Sequence, residues 1–252
     1  MGICLAIVNQ KGGVGKSTTA VNLGACLAEA GKRVLLVDID PQGNATSGVG
    51  VEKRQLDGCM YDVLIEGRDI EEVILPTEVS GLEVAPATLE LAGAEIELVS
   101  AMSREYRLKG SLDGVKDNYD YILIDAPPSL GLLTINALSA ANAALVPIQC
   151  EYYALEGVSQ LVSTVSLVKE HLNPNLEIAG VLMTMYDART NLSQQVVEEV
   201  KRFFGEKVFQ TIIPRNVRLS EAPSHGQPII LYDPQCRGAQ AYRDLAREVM
   251  GA

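Results

Sequence analysis

The chain has 252 residues, of which 47% are hydrophobic and 21% are charged, as in an ordinary globular protein. Its formal net charge of −11 argues against a protein that coats nucleic acid with its whole surface. No apolar run reaches the roughly 18 residues of a membrane span, and the apolar run at residues 3–8 is too short for a signal peptide. We therefore expect a cytoplasmic protein that forms one domain over residues 1–252.

The cysteines are scattered and form no CxxC pair, which favours free thiols in a reducing compartment over a disulfide framework. There are five of them: Cys4, Cys26, Cys59, Cys150 and Cys236.

Short apolar runs alternate with helical patterns along the chain. The predicted strands cover residues 3–8, 34–37, 82–85, 121–124, 144–148 and 178–183. The predicted helices cover residues 16–30, 89–101, 133–140, 155–171, 193–204 and 240–250. The apolar runs are continuous, as in strands covered on both faces, so the pattern predicts an α/β fold with a doubly wound, mainly parallel sheet. Residues 43–76 are less regular and are predicted to form surface helices and loops at one edge.

The first predicted strand runs into the glycine-rich segment NQKGGVGKST, and a helix is predicted to begin inside it. This is a relaxed GxxxxGK[ST] pattern, in which backbone N–H groups and the helix N-terminus bind phosphate oxygens. Lys16 would reach the β- and γ-phosphates of ATP, and the Ser17 hydroxyl would bind Mg²⁺. The candidate nucleotide-binding residues here are Lys11, Gly12, Gly13, Val14, Gly15, Lys16, Ser17 and Thr18.

Two carboxylates follow the second predicted strand, in the segment VDIDPQ. Asp38 and Asp40 are two residues apart, so strand alternation predicts that they point to the same side, at the crevice where such sheets bind ligands. One can support the Mg²⁺ shell, and the other can position the attacking water. Capping of a helix is the alternative role for either residue.

The predicted strand at residues 121–124 ends in Asp125, followed by the segment APPS. A buried strand that presents one carboxylate at its end is typical of a Walker B motif, where the carboxylate binds the metal commonly through water. The prolines Pro127 and Pro128 are compatible with a rigid loop beside the γ-phosphate.

The segment KGGVGKST resembles the deviant Walker A motif of the ParA/MinD family of P-loop ATPases, which have the SIMIBI type of P-loop fold. The resemblance implies that Lys11 reaches the phosphates of a partner subunit, where the residue pattern alone would also allow a solvated lysine. It assigns the positioning of water to Asp40, so that Lys11, Lys16 and Asp40 are the candidate catalytic residues. Metal binding falls to Ser17, to Asp125 through water, and to Asp38 in the outer shell.

The resemblance extends over essentially the whole chain and is closest to the chromosomal ParA/Soj branch, through segments such as DARTN and IPRNVRLSEAPSHG. It implies an ATP-dependent homodimer, non-specific binding of double-stranded DNA, nucleoid association and a ParB-type (Spo0J-like) partner that stimulates hydrolysis. It also implies links to DnaA, replication initiation and sporulation. Pro214 and Asn216 would lie against the adenine; a strand end and a turn cap are their plainer alternatives.

The same resemblance assigns DNA contacts to Arg189 and Arg218, each of which could equally be a solvated arginine. Residues 187–247 contain nine Lys/Arg and seven Asp/Glu, a net charge of +2. The remainder of the chain has a net charge of −13, so a local basic face in the C-terminal third is compatible with DNA phosphate contacts.

The alternative within the family is a MinD-like ATPase that cycles on the membrane at the cell-division site. Such a protein needs an amphipathic C-terminal helix with a basic face. The predicted helix at residues 240–250 carries Asp244 and Glu248 among its polar residues. We therefore expect this helix to pack against the protein, with no membrane partner.

Overall fold

The computed structural model describes residues 2–151 and 157–251, and these residues form one eight-stranded sheet. In chain order the strands are β1 (Ile3–Ile7), β2 (Val34–Asp38), β3 (Leu75–Pro76), β4 (Leu82–Ala85), β5 (Tyr121–Asp125), β6 (Ala143–Gln149), β7 (Glu177–Tyr186) and β8 (Val208–Pro214). Across the sheet the order is β3-β4-β2-β5-β1-β6-β7-β8. Only the β3–β4 pair is antiparallel among the described strands, which confirms the doubly wound, mainly parallel α/β fold.

The described ranges contain ten α-helices, of which the last three follow β8. They are α1 (Lys16–Glu29), α2 (Asn44–Gly48), α3 (Leu91–Glu97), α4 (Arg107–Leu112), α5 (Leu132–Ala140), α6 (Val158–His171), α7 (Asn191–Phe204), α8 (Val217–Glu221), α9 (Ile229–Tyr232) and α10 (Arg237–Met250). None of the helices in the described part of the chain is long and apolar enough to cross a bilayer.

The sheet separates two apolar clusters, and β5 shows how the sequence produces them. Ile122 and Ile124 belong to one cluster, and Tyr121 and Leu123 belong to the other. Successive side chains of a strand point to opposite faces, so a strand with helices on both sides must be apolar at every position. The continuous apolar runs of the sequence follow from this requirement.

The six predicted strands are all present, but β3 and β8 were not predicted. β3 is a two-residue edge strand within the irregular segment 43–76. β8 has the sequence VFQTIIP, whose central Gln and Thr interrupt the apolar run that marks a buried strand. It lies at the other edge of the sheet, where polar side chains remain accessible.

Four predicted helices differ from the structure by two residues or more at one end, and two of these begin early, α7 at Asn191 and α10 at Arg237. The helix predicted at residues 89–101 is split into α3 and a short 3₁₀ turn at Leu98–Ser100. The helix predicted at residues 155–171 begins at Val158, and Gly157 before it has a φ of 78°, which is outside the helical range. Residues 155 and 156 of that prediction lie outside the described residues.

All five cysteines are free, as predicted, and four of them are buried. Burial raises the pKa of Cys4, Cys26 and Cys150 to about 12, so these thiols are protonated at neutral pH and chemically inert. Cys236 is only half-buried; its sulfur accepts a hydrogen bond from Ala239 N at 3.3 Å and caps α10.

We predict that Gly180→Ala destabilises the sheet at the β7–β8 edge. A Cβ atom at Gly180 would contact the ring of Phe209 on β8, which is itself buried. Overpacking of this kind lowers the free energy of unfolding by about 1–3 kcal/mol, which urea titration measures. The control is Gly110→Ala in α4, where a Cβ atom meets nothing within 4 Å. An equal loss in both variants would contradict the steric explanation.

Candidate nucleotide site

Three residues at the carboxyl ends of neighbouring strands form one row across the sheet. Ile7 of β1 pairs with Asp125 of β5, and Asp125 pairs with Asp38 of β2. Adjacent strands are about 4.8 Å apart, and paired residues point to the same face, so the register places the two carboxylates side by side. β1 leads directly from this row into the glycine-rich segment.

The glycine-rich segment is the phosphate loop that the sequence predicted. Gly13 and Gly15 have φ values of 75° and 91°, a conformation that other residues rarely adopt, and Gly15 is the residue before α1. The loop borders a cavity of about 590 Å³ together with residues from four other segments. The part of its lining that concerns the site comprises Gly12, Gly13, Gly15, Lys16, Ser17, Thr18, Asp40 and Pro128. We call this space the phosphate cavity.

Hydrogen bonds from outside the loop fix its backbone. Asn9 donates its side-chain amide to Pro147 O at 2.7 Å and accepts Lys11 N at 3.0 Å. On the other side, the Thr184 hydroxyl donates to Val14 O at 2.8 Å. The loop therefore holds its shape through protein contacts, and this preorganisation leaves the glycine N–H groups available for an anion.

Lys16 lies at the start of α1 and is almost fully buried. Its ammonium donates to the backbone oxygen of Lys11 at 3.3 Å. Burial lowers the pKa of Lys16, and the nearby carboxylates of Asp125 and Asp40 raise it. The negative charges of these two carboxylates oppose the binding of a phosphate beside Lys16. A metal ion that binds together with the phosphate would offset those charges.

Asp38 is buried, and its oxygens are fully engaged. It accepts hydrogen bonds from Thr46 N at 2.8 Å, from the Thr46 hydroxyl at 2.7 Å, and from Asp40 N at 3.1 Å. Desolvation raises the pKa of Asp38 to about 6, although these hydrogen bonds act in the opposite direction. Asp38 therefore holds the segment that carries Asp40, and the structure places it behind the cavity rather than in its lining.

Asp125 differs from Asp38, because neither of its oxygens has a hydrogen-bond partner within the described residues. Its side chain is completely buried, and desolvation and Asp38 raise its pKa well above the usual value. Ser17 approaches closely enough to lower this pKa without meeting hydrogen-bond geometry. A buried carboxylate of this kind, beside a hydroxyl and a phosphate loop, fits a divalent cation such as Mg²⁺.

The described residues contain no cage of three or more His, Cys, Asp or Glu side chains that could hold a metal ion without help. This agrees with Mg²⁺ chemistry, since Mg²⁺ is usually held by one or two protein oxygens together with phosphates and water. Ser17 and Asp125 are the pair that could supply those oxygens here.

Asp40 lines the phosphate cavity, as its predicted role requires. One of its oxygens accepts Gln42 N at 2.9 Å, which fixes the carboxylate. It is buried in the protein surface, and the cavity is the space that it faces.

Pro214 and Asn216 lie in a second cavity, of about 300 Å³. This cavity shares Gly15, Thr18 and Met185 with the lining of the phosphate cavity, so the two form one crevice beside the helix α1. Asn216 also caps α8, because its side-chain oxygen accepts Arg218 N at 2.8 Å. Contact of these two residues with adenine stays a prediction, whereas both plainer alternatives hold, since Pro214 ends β8 and Asn216 caps α8.

Lys11 does not line the phosphate cavity of its own chain. It borders a separate cavity of about 490 Å³ with Pro128, Ser129, Leu130 and Gln160 among its neighbours. Pro128 belongs to the lining of both cavities. The first lysine of the motif therefore faces outward from the site that the second lysine serves.

Arg189 and Arg218 follow the carboxyl ends of the adjacent strands β7 and β8. They therefore lie on the side of the sheet where the strands end, which is also the side of the phosphate loop. Each is paired with a carboxylate. Arg189 donates to both oxygens of Asp187, at 2.9 and 2.7 Å, and its side chain is 87% exposed. Arg218 contacts Glu221 at 2.9 Å and Asp233 at 3.4 Å, with 53% of its side chain exposed.

Some residues that build the site carried no recognisable sequence signal. Thr46 connects the second strand to the segment after β4, since its hydroxyl also accepts Ala87 N at 2.9 Å. Met185 lines both cavities with a φ of 53°. The Tyr242 hydroxyl of α10 lies 3.3 Å from that of Thr19 in α1. All three act through contacts between residues far apart in the chain.

Comparison with known proteins agrees with this geometry. A protein family described as an AAA domain matches residues 2–178. The chain is 67% identical to the sporulation initiation inhibitor protein Soj of Bacillus subtilis, over 99% of this chain and 98% of that protein. It is 56% identical to the chromosome partitioning protein ParA of Myxococcus xanthus, over 99% of this chain and 88% of that protein. The chain belongs to the ParA/Soj family of chromosome-partitioning ATPases.

One solved structure with a similar fold contains a bound nucleotide. It is described as the cobyrinic acid a,c-diamide synthase of Mycobacterium smegmatis with a bound ATP analogue and magnesium. It is 38% identical to this ParA/Soj chain, covers 99% of this chain and 95% of its own, and has a TM-score of 0.88. The same backbone therefore accommodates an ATP analogue and magnesium in that protein.

We predict that Asp125→Asn stabilises the protein without nucleotide and abolishes its stabilisation by Mg²⁺ and ATP. Within the described residues this carboxyl has no hydrogen-bond partner, so at a pH where it is ionised the substitution removes a buried charge and the melting temperature rises by a few degrees. The pKa of Asp125 is raised in the folded state, so the wild-type protein binds more protons when folded and loses stability as the pH rises above the usual carboxyl range. The Asp125→Asn variant loses less stability than the wild type over the same rise in pH, because its side chain does not titrate.

The control is Asp113→Asn, since Asp113 is half-exposed and paired with Lys116. Thermal denaturation with and without Mg²⁺ and ATP compares the two variants. A lower melting temperature for Asp125→Asn in the absence of ligand would contradict the assignment of an uncompensated charge.

Proposed function

We propose that this chain is an Mg²⁺-dependent ATPase of chromosome partition, which converts ATP and water to ADP and phosphate. In the proposed cycle, an ATP-bound homodimer binds DNA without sequence preference, and hydrolysis stimulated by a partner returns it to the free state. The observation that carries the proposal is that Lys16, Ser17 and Asp40 line the phosphate cavity, with Asp125 buried close to all three and Lys11 outside the lining.

Each residue of the site, in the cavity lining or directly behind it, has a defined task in this proposal. Mg²⁺, held by Ser17 and by Asp125 through water, would neutralise charge on the phosphates when bound. Lys16 binds the β- and γ-phosphates, and the glycine N–H groups bind their remaining oxygens. Asp38 holds the segment that carries Asp40 through its bond to Asp40 N.

Asp40 orients the attacking water. Its carboxylate is fixed by Gln42 N and faces the cavity, as positioning requires. Phosphoryl transfer depends mainly on placement and charge stabilisation, so a fixed acceptor for a water proton is the part that the protein must supply.

Lys11 completes the site of a second subunit. A lysine that faces a cavity other than its own phosphate cavity is free to approach the γ-phosphate across an interface. The nucleotide would then lie between two copies of the chain, and its γ-phosphate would contribute to the contact that holds them together.

We predict that Lys11→Ala retains ATP binding but loses the ATP-dependent dimer. The reason is that the substitution removes a positive charge that acts only on the partner's nucleotide. Lys16→Ala is the matched comparison and loses nucleotide binding itself, because Lys16 lines the cavity of its own chain. Fluorescent nucleotide titration measures the binding, and sedimentation velocity measures the dimer. A Lys11→Ala protein that dimerises like the wild type would contradict the role in trans.

The proposed DNA contacts lie at the carboxyl ends of the strands β7 and β8. Arg189 and Arg218 are exposed at the ends of β7 and β8, within the part of the sequence whose net charge is +2. Binding strength rises steeply with the number of phosphates neutralised, so a dimer binds measurably where a monomer with few contacts does not. DNA affinity would then report the ATP state, and the protein would associate with the nucleoid.

We predict that Arg189→Glu and Arg218→Glu each weaken DNA binding by about tenfold or more, and leave dimerisation intact. Arg33→Glu is the control, since Arg33 is also exposed and paired with a carboxylate. It directly precedes β2, so it lies at the amino ends of the strands, on the opposite side of the sheet from Arg189 and Arg218. The measurement uses unrelated duplexes, a range of salt concentrations, and Asp40→Ala to retain the ATP dimer. Equal losses in all three variants, or equal binding by the ADP and ATP forms, would contradict the assignment.

The partners of the cycle are inferred from the relatives. Two of them are named for chromosome partition and for inhibition of sporulation initiation. The second of these names supports a regulatory link to sporulation. A ParB-type partner that stimulates hydrolysis, and a link to DnaA, are proposed from the resemblance to the family. The 67% identity to Soj, against 38% to the protein described as a synthase, favours partition over amide synthesis.

The MinD-like alternative is disfavoured by the packing of α10. Its apolar residues Tyr242, Leu245 and Val249 are buried, and the helix packs against α1 and β8. Glu248 on the same helix accepts Gln210 N at 2.7 Å and Thr211 N at 3.0 Å. A helix whose apolar face is already covered has no surface left for a bilayer.

A further inference from the structure

Glu95 of α3 caps a helix to which it does not belong. Its side-chain oxygen accepts Leu133 N, in the first turn of α5, at 3.3 Å. Helix α5 begins after Gly131, which has no side chain and supplies no capping bond of its own. A carboxylate in this position compensates for the missing cap and interacts favourably with the positive end of the helix.

Gly131 is required by Glu95 rather than by its own backbone. Its φ of −81° and ψ of −169° are accessible to any residue. A Cβ atom there would instead collide with the carboxylate of Glu95, which provides all three of its nearest neighbours. The glycine and the glutamate therefore form one unit, in which the first leaves the space that the second occupies.

This unit fixes the far end of the segment at residues 126–131, which we call the proline loop. The near end continues directly from β5, and it is held to the neighbouring strand β1 because Ala126 N donates to Ile7 O at 3.4 Å. The far end is held by Glu95 and by the Thr134 hydroxyl, which donates to Ser129 O at 2.7 Å. Between the two ends, Pro128 borders both the phosphate cavity and the cavity of Lys11.

We propose that Glu95 is a positioning residue for ATP hydrolysis, which keeps the proline loop against the γ-phosphate end of the cavity. The inference rests on the proposed ATPase function. Glu95 does not line the phosphate cavity, and its effect passes through Gly131 and α5 to Pro128. Binding of ADP needs the phosphate loop alone, whereas hydrolysis needs the proline loop in place.

The expected result is a selective loss of turnover. In Glu95→Ala, kcat falls about tenfold while KM for ATP and affinity for ADP change less than about twofold, because a small displacement at a reacting centre costs rate more than binding. Glu95→Gln retains most of the activity, since its amide oxygen can still accept Leu133 N. Gly131→Ala produces the same loss as Glu95→Ala, because it displaces the carboxylate without removing it.

Glu97→Ala is the matched control. Glu97 lies on the same helix and also accepts a hydrogen bond, but it is exposed and its partner is the Tyr61 hydroxyl at 2.9 Å rather than a group of α5. Its kcat should equal that of the wild type. Steady-state ATPase assays over a range of ATP concentrations, ADP titration and thermal denaturation compare the variants.

The double variant Glu95→Ala/Gly131→Ala decides between one unit and two separate effects. Its kcat should equal that of Glu95→Ala alone, since the collision disappears with the carboxylate. Multiplied losses, an unchanged kcat in Glu95→Ala, or a parallel loss of ADP binding would overturn the inference. A wild-type protein without ATPase activity would instead contradict the proposed function, and the two failures are thus distinguishable.

Discussion

The burial of two adjacent carboxylates at the carboxyl ends of the sheet is the constraint on which the rest of the site depends. The β2–β5 register sets Asp38 beside Asp125, in a region from which water is excluded. Asp38 is stabilised by Thr46 and by the backbone of Asp40, so the fold organises the Asp40 segment around it. Asp125 has no such bonds within the described part of the chain, so its ionised form carries an electrostatic cost that a cation can relieve.

Much of this arrangement could be predicted from the sequence because its determinants are local. Continuous apolar runs mark the buried strands, and the glycine pattern marks the phosphate loop with Lys16 and Ser17. β8 could not be predicted in this way, since an edge strand tolerates the Gln and Thr that break its apolar run. Thr46, Met185 and Glu95 escaped for another reason: their roles arise from contacts that exist only after the chain has folded.

Pro128 joins the parts of the site that serve different subunits in the proposed dimer. It lines the phosphate cavity, where Lys16 would bind the nucleotide of its own chain, and also the cavity of Lys11. In the proposed dimer, one rigid residue would therefore border both the nucleotide and the surface that a second copy approaches. Such a residue would couple occupancy of one cavity to contact at the other without a large movement of either wall.

The carboxylate partners of the two exposed arginines have a kinetic consequence. Asp187 contacts Arg189 with both oxygens, so a phosphate that binds this arginine exchanges one anion for another. The net binding free energy per contact would therefore be small. The Asp187–Arg189 ion pair would form again whenever the phosphate dissociates. In the proposed function, DNA contacts of this kind would be short-lived, which suits a protein that changes position on a nucleic acid by many brief steps rather than by remaining at one place.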